Sequence, residues 1–423
     1  MIRWGNTVTG LLSLLASTLL FMYRAPASIM TSVLLVLAII LLVRERTETA
    51  IVYLGLAVNL LFLLLALGLN DGRASYLGDD SFLPYYSKAM LVETLFWVFF
   101  GSTLELRSRA TGPYCAGGPH IKLGFPLQNL QLLAIVILAV EIALSHRQYF
   151  TQYLDASDTG TILYEVGCLL VAVGVMERSA RPRGRIFQVL EAAGTGLALF
   201  IALGSGKRLP LSFVILAYML VFLRRYGKWR TVLTFLAVSG VGYLFGILRD
   251  SMALGDINLA TITAGFQATN QGAVLHASSV YLRIADEGLS TVLDRGISFL
   301  SNVFGTMLLP MSWLPEQAQV NVHAMRFYPV QGNGGFIGCY AFFFMGWVGP
   351  ALVGTAMAWL CSSRGRRWTG MAALLFLLTS PRWMLYNLGP VVRLLSMTMV
   401  LFAAIGLISS PAEREAGQPE SSN

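Results

Sequence analysis

RERTETAIVYLGLAVNLLFLLLALGLNDGRASYLGDDSF, residues 44–82, decides the fold class. Its middle, 50–69, carries no charged side chain, and about 20 apolar residues in a helix cross the hydrocarbon core of a bilayer. The basic cluster RERTE at 44–48 precedes that run, and the acidic connection NDGRASYLGDDSF at 70–82 follows it. Lys and Arg collect in short cytoplasmic connections, so 44–48 reads as inside and 70–82 as outside.

The same reading extends in both directions. Apolar spans fall near 6–23, 27–43, 50–69, 86–105, 126–145, 161–177, 187–204, 209–223, 231–248, 335–361, 368–381 and 390–409, twelve in all. With the N-terminus inside, the cytoplasmic connections are 44–48, 106–122, ERSARPRGR at 177–185, RRYGKWR at 224–230 and RGRR at 364–367, and they hold most of the chain's 30 Lys and Arg. YLDASDTG at 153–160, like 70–82, is acidic and falls outside. The opening MIRWGNTVTGLLSLLAS reads as a retained first helix rather than a cleaved leader. Both termini are expected in the cytoplasm.

Composition agrees with this reading. Of the 423 residues 56% are hydrophobic and 12% charged, about half the charge of an average soluble domain. Disorder, fibrous repeats and a small disulfide scaffold are excluded. The net charge of +8 belongs to cytoplasmic connections, so it does not point to nucleic acid. Cys115, Cys168, Cys339 and Cys361 show no metal or redox spacing. The expected organisation is nine transmembrane helices over 1–248, one large periplasmic loop over 249–334, three more helices over 335–409, and a disordered cytoplasmic tail over 410–423. Within the loop, STVLDRGISFLSNVFGTMLLPMSWL at 290–314 reads as an amphipathic or re-entrant helix, because it holds Asp294, Arg295 and Pro310. Counting it as a crossing would put RGRR outside.

The chemistry-bearing residues are the cations left on the outer side. Lys207 and Arg208 share the tight turn GSGKRLPL with no acidic neighbour, and Gly204 and Gly206 allow close backbone approach to a ligand. Arg249 follows the ninth span, Arg283, Arg295 and Arg326 belong to the long loop, Arg382 lies in TSPRWMLYN, and Arg393 opens the last span. Arginine grips phosphate oxygens bidentately, and a charge inside a membrane is a functional candidate. The structural alternatives are an Arg249–Asp250 pair, an Arg295–Asp294 pair and an Arg393 that snorkels. Among the histidines, His120, His146 and His276 read as structural, whereas His323, three residues before Arg326, is the candidate acid–base group. Glu93, Glu141, Glu165 and Glu191 fall in separate spans, as a proton relay or as polar packing. In QGNGGFIG at 331–338 the glycines permit tight turns, Asn333 is a candidate helix cap, and the helix N-terminus behind it a candidate anion holder. No Walker loop, CxxCH, HExxH or GxSxG pattern occurs.

The GSGKR turn between central spans, the large late outer loop, the Gly-rich QGNGGFIG followed by GWVG, and a late Arg382 or Arg393 together resemble the Wzy-type O-antigen and oligosaccharide repeat-unit polymerases. The resemblance covers most of the chain as a pattern. It implies an all-α polytopic membrane protein of the polymerase/ligase class of polyprenyl-dependent glycosyltransferases, sited in a bacterial inner membrane with its active site facing the periplasm. The implied reaction moves a growing glycan from undecaprenyl pyrophosphate to the non-reducing end of a new lipid-linked unit, without metal or cofactor. Lys207, Arg208, Arg249, Arg326 and Arg393 would meet the leaving pyrophosphate, with Arg283, Arg295 and Arg382 as further candidates. Catalysis would fall to Arg208 and to His323, as base on the acceptor hydroxyl. Membrane lipid, a lipid-linked oligosaccharide and a chain-length regulator are the implied partners. An O-antigen ligase and a lipid-linked oligosaccharide flippase are the alternatives; an outer loop of this size favours an enzyme over a flippase.

Overall fold

In a computed structural model of the chain, residues 5–45, 48–74, 80–111, 127–145, 159–180, 184–205, 209–253, 270–305, 313–314, 320–330, 334–362, 367–385 and 388–408 are described. Every regular element among them is helical. In chain order they are α1 (Gly5–Met22), α2 (Ala27–Arg44), α3 (Ala50–Leu69), α4 (Leu83–Thr111), α5 (Leu127–Ser145), α6 (Thr159–Ala180), α7 (Arg185–Ser205), α8 (Leu209–Tyr226) and α9 (Lys228–Ala253). There follow α10 (Asn270–Asp286), α11 (Val292–Leu300), α12 (Val320–Met325), α13 (Ile337–Met345), α14 (Val348–Cys361), α15 (Arg367–Leu378), α16 (Ser380–Leu385) and α17 (Leu388–Ile408). Six helices among the described residues are long and apolar enough to cross a membrane: α1, α2, α3, Asp80–Arg107, Arg185–Gly204 and α8. The protein is an all-helical polytopic membrane protein.

The chain forms two compact units that alternate along the sequence. The first joins Met1–Ala116, Gly227–Ser362 and Arg382–Val391; the second joins Gly117–Tyr226, Ser363–Pro381 and Val392–Asn423. In the second, α5 to α8 pack through small residues and buried polar bonds. Gln131 lies over Gly174, where a Cβ would come within 1.7 Å of its amide nitrogen. The Tyr164 hydroxyl donates to Ala198 O at 2.9 Å, and the Tyr218 hydroxyl to Glu191 Oε1 at 2.9 Å.

In the first unit, helix ends that would expose backbone groups are closed by charges from other helices. Glu105 Oε2 accepts the Asn6 and Thr7 N–H groups at 3.1 and 2.9 Å, an anion at the N-terminus of α1. Lys228 Nζ donates to the carbonyls of Leu42, Val43 and Glu45, a cation at the C-terminus of α2. The interior is aromatic: Trp97 packs on Tyr53, Phe96, Phe100 and Trp383 with ring centroids 5.1–6.2 Å apart.

Two of the expected spans are broken. Over 335–361, Gly346 adopts a φ of 60°, a left-handed conformation that only glycine takes without strain, and it separates α13 from α14. Over 368–381, Pro381 cannot supply a backbone N–H, so α15 ends at Leu378 and α16 restarts with the proline in its first turn. The expected outer loop also holds α10, whose Val274, Leu275, Val280 and Leu282 are buried. The tail 410–423 lies outside the described residues.

Candidate functional site

The site in the first unit begins at the Gly-rich stretch. The Gly335 N–H donates to Leu385 O at 2.9 Å, and the Tyr281 hydroxyl of α10 donates to Gly334 O at 3.1 Å. A Cβ on Gly334 would come within 2.6 Å of Val274, and one on Gly335 within 2.6 Å of the Tyr281 ring. Glycine is therefore required here by close approach. The Phe336 N–H then donates to Ser278 Oγ at 2.8 Å. Thus α10 and the C-terminal end of α16 clamp 334–336 from two directions.

Helix α13 starts beside the middle of α4. The Gly338 N–H donates to Glu93 Oε2 at 2.9 Å, and the Trp97 indole N–H donates to Glu93 Oε1 at 2.9 Å. Glu93 is the midpoint of the Asp80–Arg107 span. From there α13 climbs along α4 toward its N-terminal end, with the Cys339 thiol against Ala89 O and Phe342 beneath Lys88. Nine helical residues cover about 14 Å, half of a hydrocarbon core, so α13 is a half-helix. After the Gly346 turn α14 descends the same helix, with Gly354 against the Phe96 backbone and Trp359 beside Arg107. The helix cap expected from Asn333 falls outside the described residues. The acceptor at this N-terminus is the protein's own Glu93 carboxyl, with Phe336 at the cap position.

Helix α10 reaches the same depth. Gln271 Nε2 donates to Asn59 Oδ1 at 3.1 Å, and Asn59 lies near the middle of α3. Its other end builds a polar rim. The Arg283 guanidinium lies 4.4 Å from the Tyr328 ring, 4.8 Å from Phe82 and 5.8 Å from Tyr85. It donates to Glu287 Oε1 at 2.8 Å and to Ser81 Oγ at 2.7 Å. The Tyr328 hydroxyl donates to Glu287 Oε2 at 2.5 Å. That bond, then Arg283, holds the Glu287 carboxyl below the usual carboxylate range, and the same bond raises the Tyr328 phenol. Lys88 pairs with Asp286 at 2.5 Å and lies over Phe342 and Trp347. Beneath the rim, His276 bridges the Tyr86 hydroxyl through Nδ1 and Pro329 O through Nε2, both at 3.1 Å. A carbonyl only accepts, so Nε2 carries the hydrogen.

The structure gathers some of the expected residues and separates others. His323 is buried in α12, its Nε2 3.3 Å from Ser290 Oγ and its ring against Phe327. The Arg326 N–H donates to His323 O, and its side chain is exposed. With Tyr328 on the same turn, His323, Arg326 and Arg283 belong to one rim. Arg295 reaches Phe343 O at 3.3 Å, near the C-terminal end of α13. Asp294, the partner expected for Arg295, is engaged by Thr291 Oγ1 at 2.6 Å. Arg382 lies on α16, whose Trp383 packs on Trp97 and Phe100 and whose Leu385 O accepts the Gly335 N–H. Arg393 lies on α17 in the second unit. Arg249 is in α9, its side chain outside the described residues, and Lys207 and Arg208 lie outside them altogether. Lys88, Asp286, Tyr328 and Glu287 escaped the sequence reading, and only the charge of Lys88 at the head of an apolar span signalled its role. No protein-family model, curated protein or solved structure matches the chain.

Proposed function

We propose that the protein polymerises lipid-pyrophosphate-linked oligosaccharide units at the outer face of a bacterial inner membrane, as a Wzy-type glycosyltransferase. The observation that carries this reading is the Gly335 N–H to Leu385 O bond. It joins two distant motifs of the resemblance, QGNGGFIG and the late-arginine segment TSPRWMLYN, into one site. The half-helix and the rim of Arg283, Arg326 and His323 give that site a lipid-depth floor and a polar mouth.

In the proposed reaction the acceptor hydroxyl attacks the anomeric carbon of the donor glycan. The C–O bond to the pyrophosphate breaks, and the hydroxyl proton passes to neutral His323. Arginines meet the charge that develops on the departing pyrophosphate. Arg382, Arg326 and Arg249 are the candidates in the first unit; Lys207, Arg208 and Arg393 belong to the second and keep their proposed role as pyrophosphate contacts. Twelve crossings with both termini cytoplasmic, a lipid-linked acceptor and a chain-length regulator complete the reading.

The test is the surface-glycan ladder of a strain lacking this chain, complemented with wild type, Arg382→Ala or His323→Ala at equal membrane abundance. The expected result is core plus a single repeat in the deletion strain and in both variants, and a full ladder with wild type. Loss of every addition in the deletion strain, the single repeat included, overturns the polymerase reading in favour of a ligase or flippase. A full ladder with Arg382→Ala removes that residue from the site.

A further inference from the structure

Helix α11 is built inside out. At about 100° per residue, Val292, Leu293, Gly296, Ile297 and Leu300 share an arc of about 140°. That arc faces away from the protein, with Leu293 72% and Leu300 57% exposed. The opposite side turns polar groups inward, where Arg295 reaches Phe343 O and Ser298 is buried, while Asp294 closes the helix start with Thr291 in an exposed bond. The π-helical turn Ser301–Gly305 continues the arrangement, burying Asn302 and exposing Phe304. Leu314 packs back on Gly305, and beside it Trp313 is 74% exposed. A surface helix in water shows the reverse, its apolar stripe inward and its polar residues out.

We propose that the outer face of Val292–Gly305, with Trp313, is seated in the lipid of the outer membrane interface. Lipid is the occupant for two further reasons. The exposed apolar strip is continuous with a lipid-facing surface: Phe299 packs on Phe344 at 5.4 Å, and just past Phe344 the exposed Trp347, Val348 and Leu352 open α14. Tryptophan also favours the headgroup level, where its ring is apolar and its N–H wet. An amphipathic helix lying in the interface buries its apolar face at that boundary. Through Arg295 and Phe299, this seat sets the height of the C-terminal end of α13 in the membrane. The inference does not depend on the reaction proposed above.

The test is nitroxide labelling of Leu293→Cys and Leu300→Cys, with Asp80→Cys as the water-facing control, in a Cys115→Ser background. Cys168, Cys339 and Cys361 are buried. The protein is reconstituted in vesicles of phosphatidylethanolamine and phosphatidylglycerol, and collisions with oxygen and with a water-soluble nickel chelate are compared. Oxygen collisions exceeding nickel collisions at both positions, with the order reversed at residue 80, is the expected result. Nickel collisions dominating at 293 and 300 overturns the proposal and leaves the face in water. Low collision rates with both probes also overturn it, because a protein surface, a second copy included, then covers the face.

Discussion

Helices α10 and α11 come from the same expected outer loop and differ in which side meets the protein. In α10 the apolar residues Val274, Leu275, Val280 and Leu282 are buried, and the charges Asp286 and Glu287 stand at its exposed end. In α11 the apolar residues are exposed, while Ser298 and Asn302 are buried. The difference teaches that hydrophobic periodicity identifies a face without identifying its solvent. For α10 the apolar face is filled by α3, α4 and α13; for α11 lipid is the proposed filling.

The comparison is broken most directly by truncating one side chain from each helix. Leu282→Ala removes a fully buried side chain and should cost about 2–5 kcal/mol. Thermal unfolding of the purified protein in detergent reads this as a large drop in Tm. Gly338→Ala comes next: a Cβ there would lie 2.6 Å from Glu93 Oε2 and 3.2 Å from Val92 O. Overpacking of this kind costs about 1–3 kcal/mol, and the same melting assay should show it. Because α13 must shift, the ladder should shorten as well.

A smaller effect sharpens the description of the α10 end. The Glu287 carboxyl sits below its usual range, so its contribution is complete above about pH 4.3, the ordinary glutamate value, and fades as pH falls through the lowered value. As a largely exposed cluster it is worth below about 1 kcal/mol. Glu287→Gln should lower the neutral plateau of Tm slightly and flatten that part of the acid limb, so that variant and wild type converge at low pH. The smallest effect belongs to α11. Leu293→Ala should move detergent stability by less than about 0.5 kcal/mol, although its side chain is as apolar as that of Leu282. A loss equal to that of Leu282→Ala would end the distinction between the two helices.

Some of this was legible in the sequence and some was not. The uncharged run at 50–69 returned as α3 with the same ends, because twenty apolar residues leave one low-energy arrangement in lipid. QGAVLHASSVYLR did not read as a buried helix, because its serines and histidine lower its hydropathy. In the fold those groups are satisfied locally: Ser278 and Ser279 donate to Val274 O and His276 O, and His276 is held at both nitrogens. Glu93 was visible as a charge inside a span, but its partners, Gly338 and Trp97, required the fold. His323 stands three residues before Arg326 in the sequence, whereas its contact with Ser290 joins segments that no spacing rule connects.

The sequence by itself determined that this is a helical membrane protein, where most of its helices run, and which charges stand apart from the short basic connections. Those properties follow from transfer free energies and backbone hydrogen bonding, which act residue by residue. Only the tertiary structure decided that residues 337–345 form a half-helix anchored on Glu93, that the Gly-rich stretch meets the segment after Pro381, and that one amphipathic helix turns its polar side inward. Each depends on contacts between residues far apart in the chain, whose free energy appears only when packing brings them together.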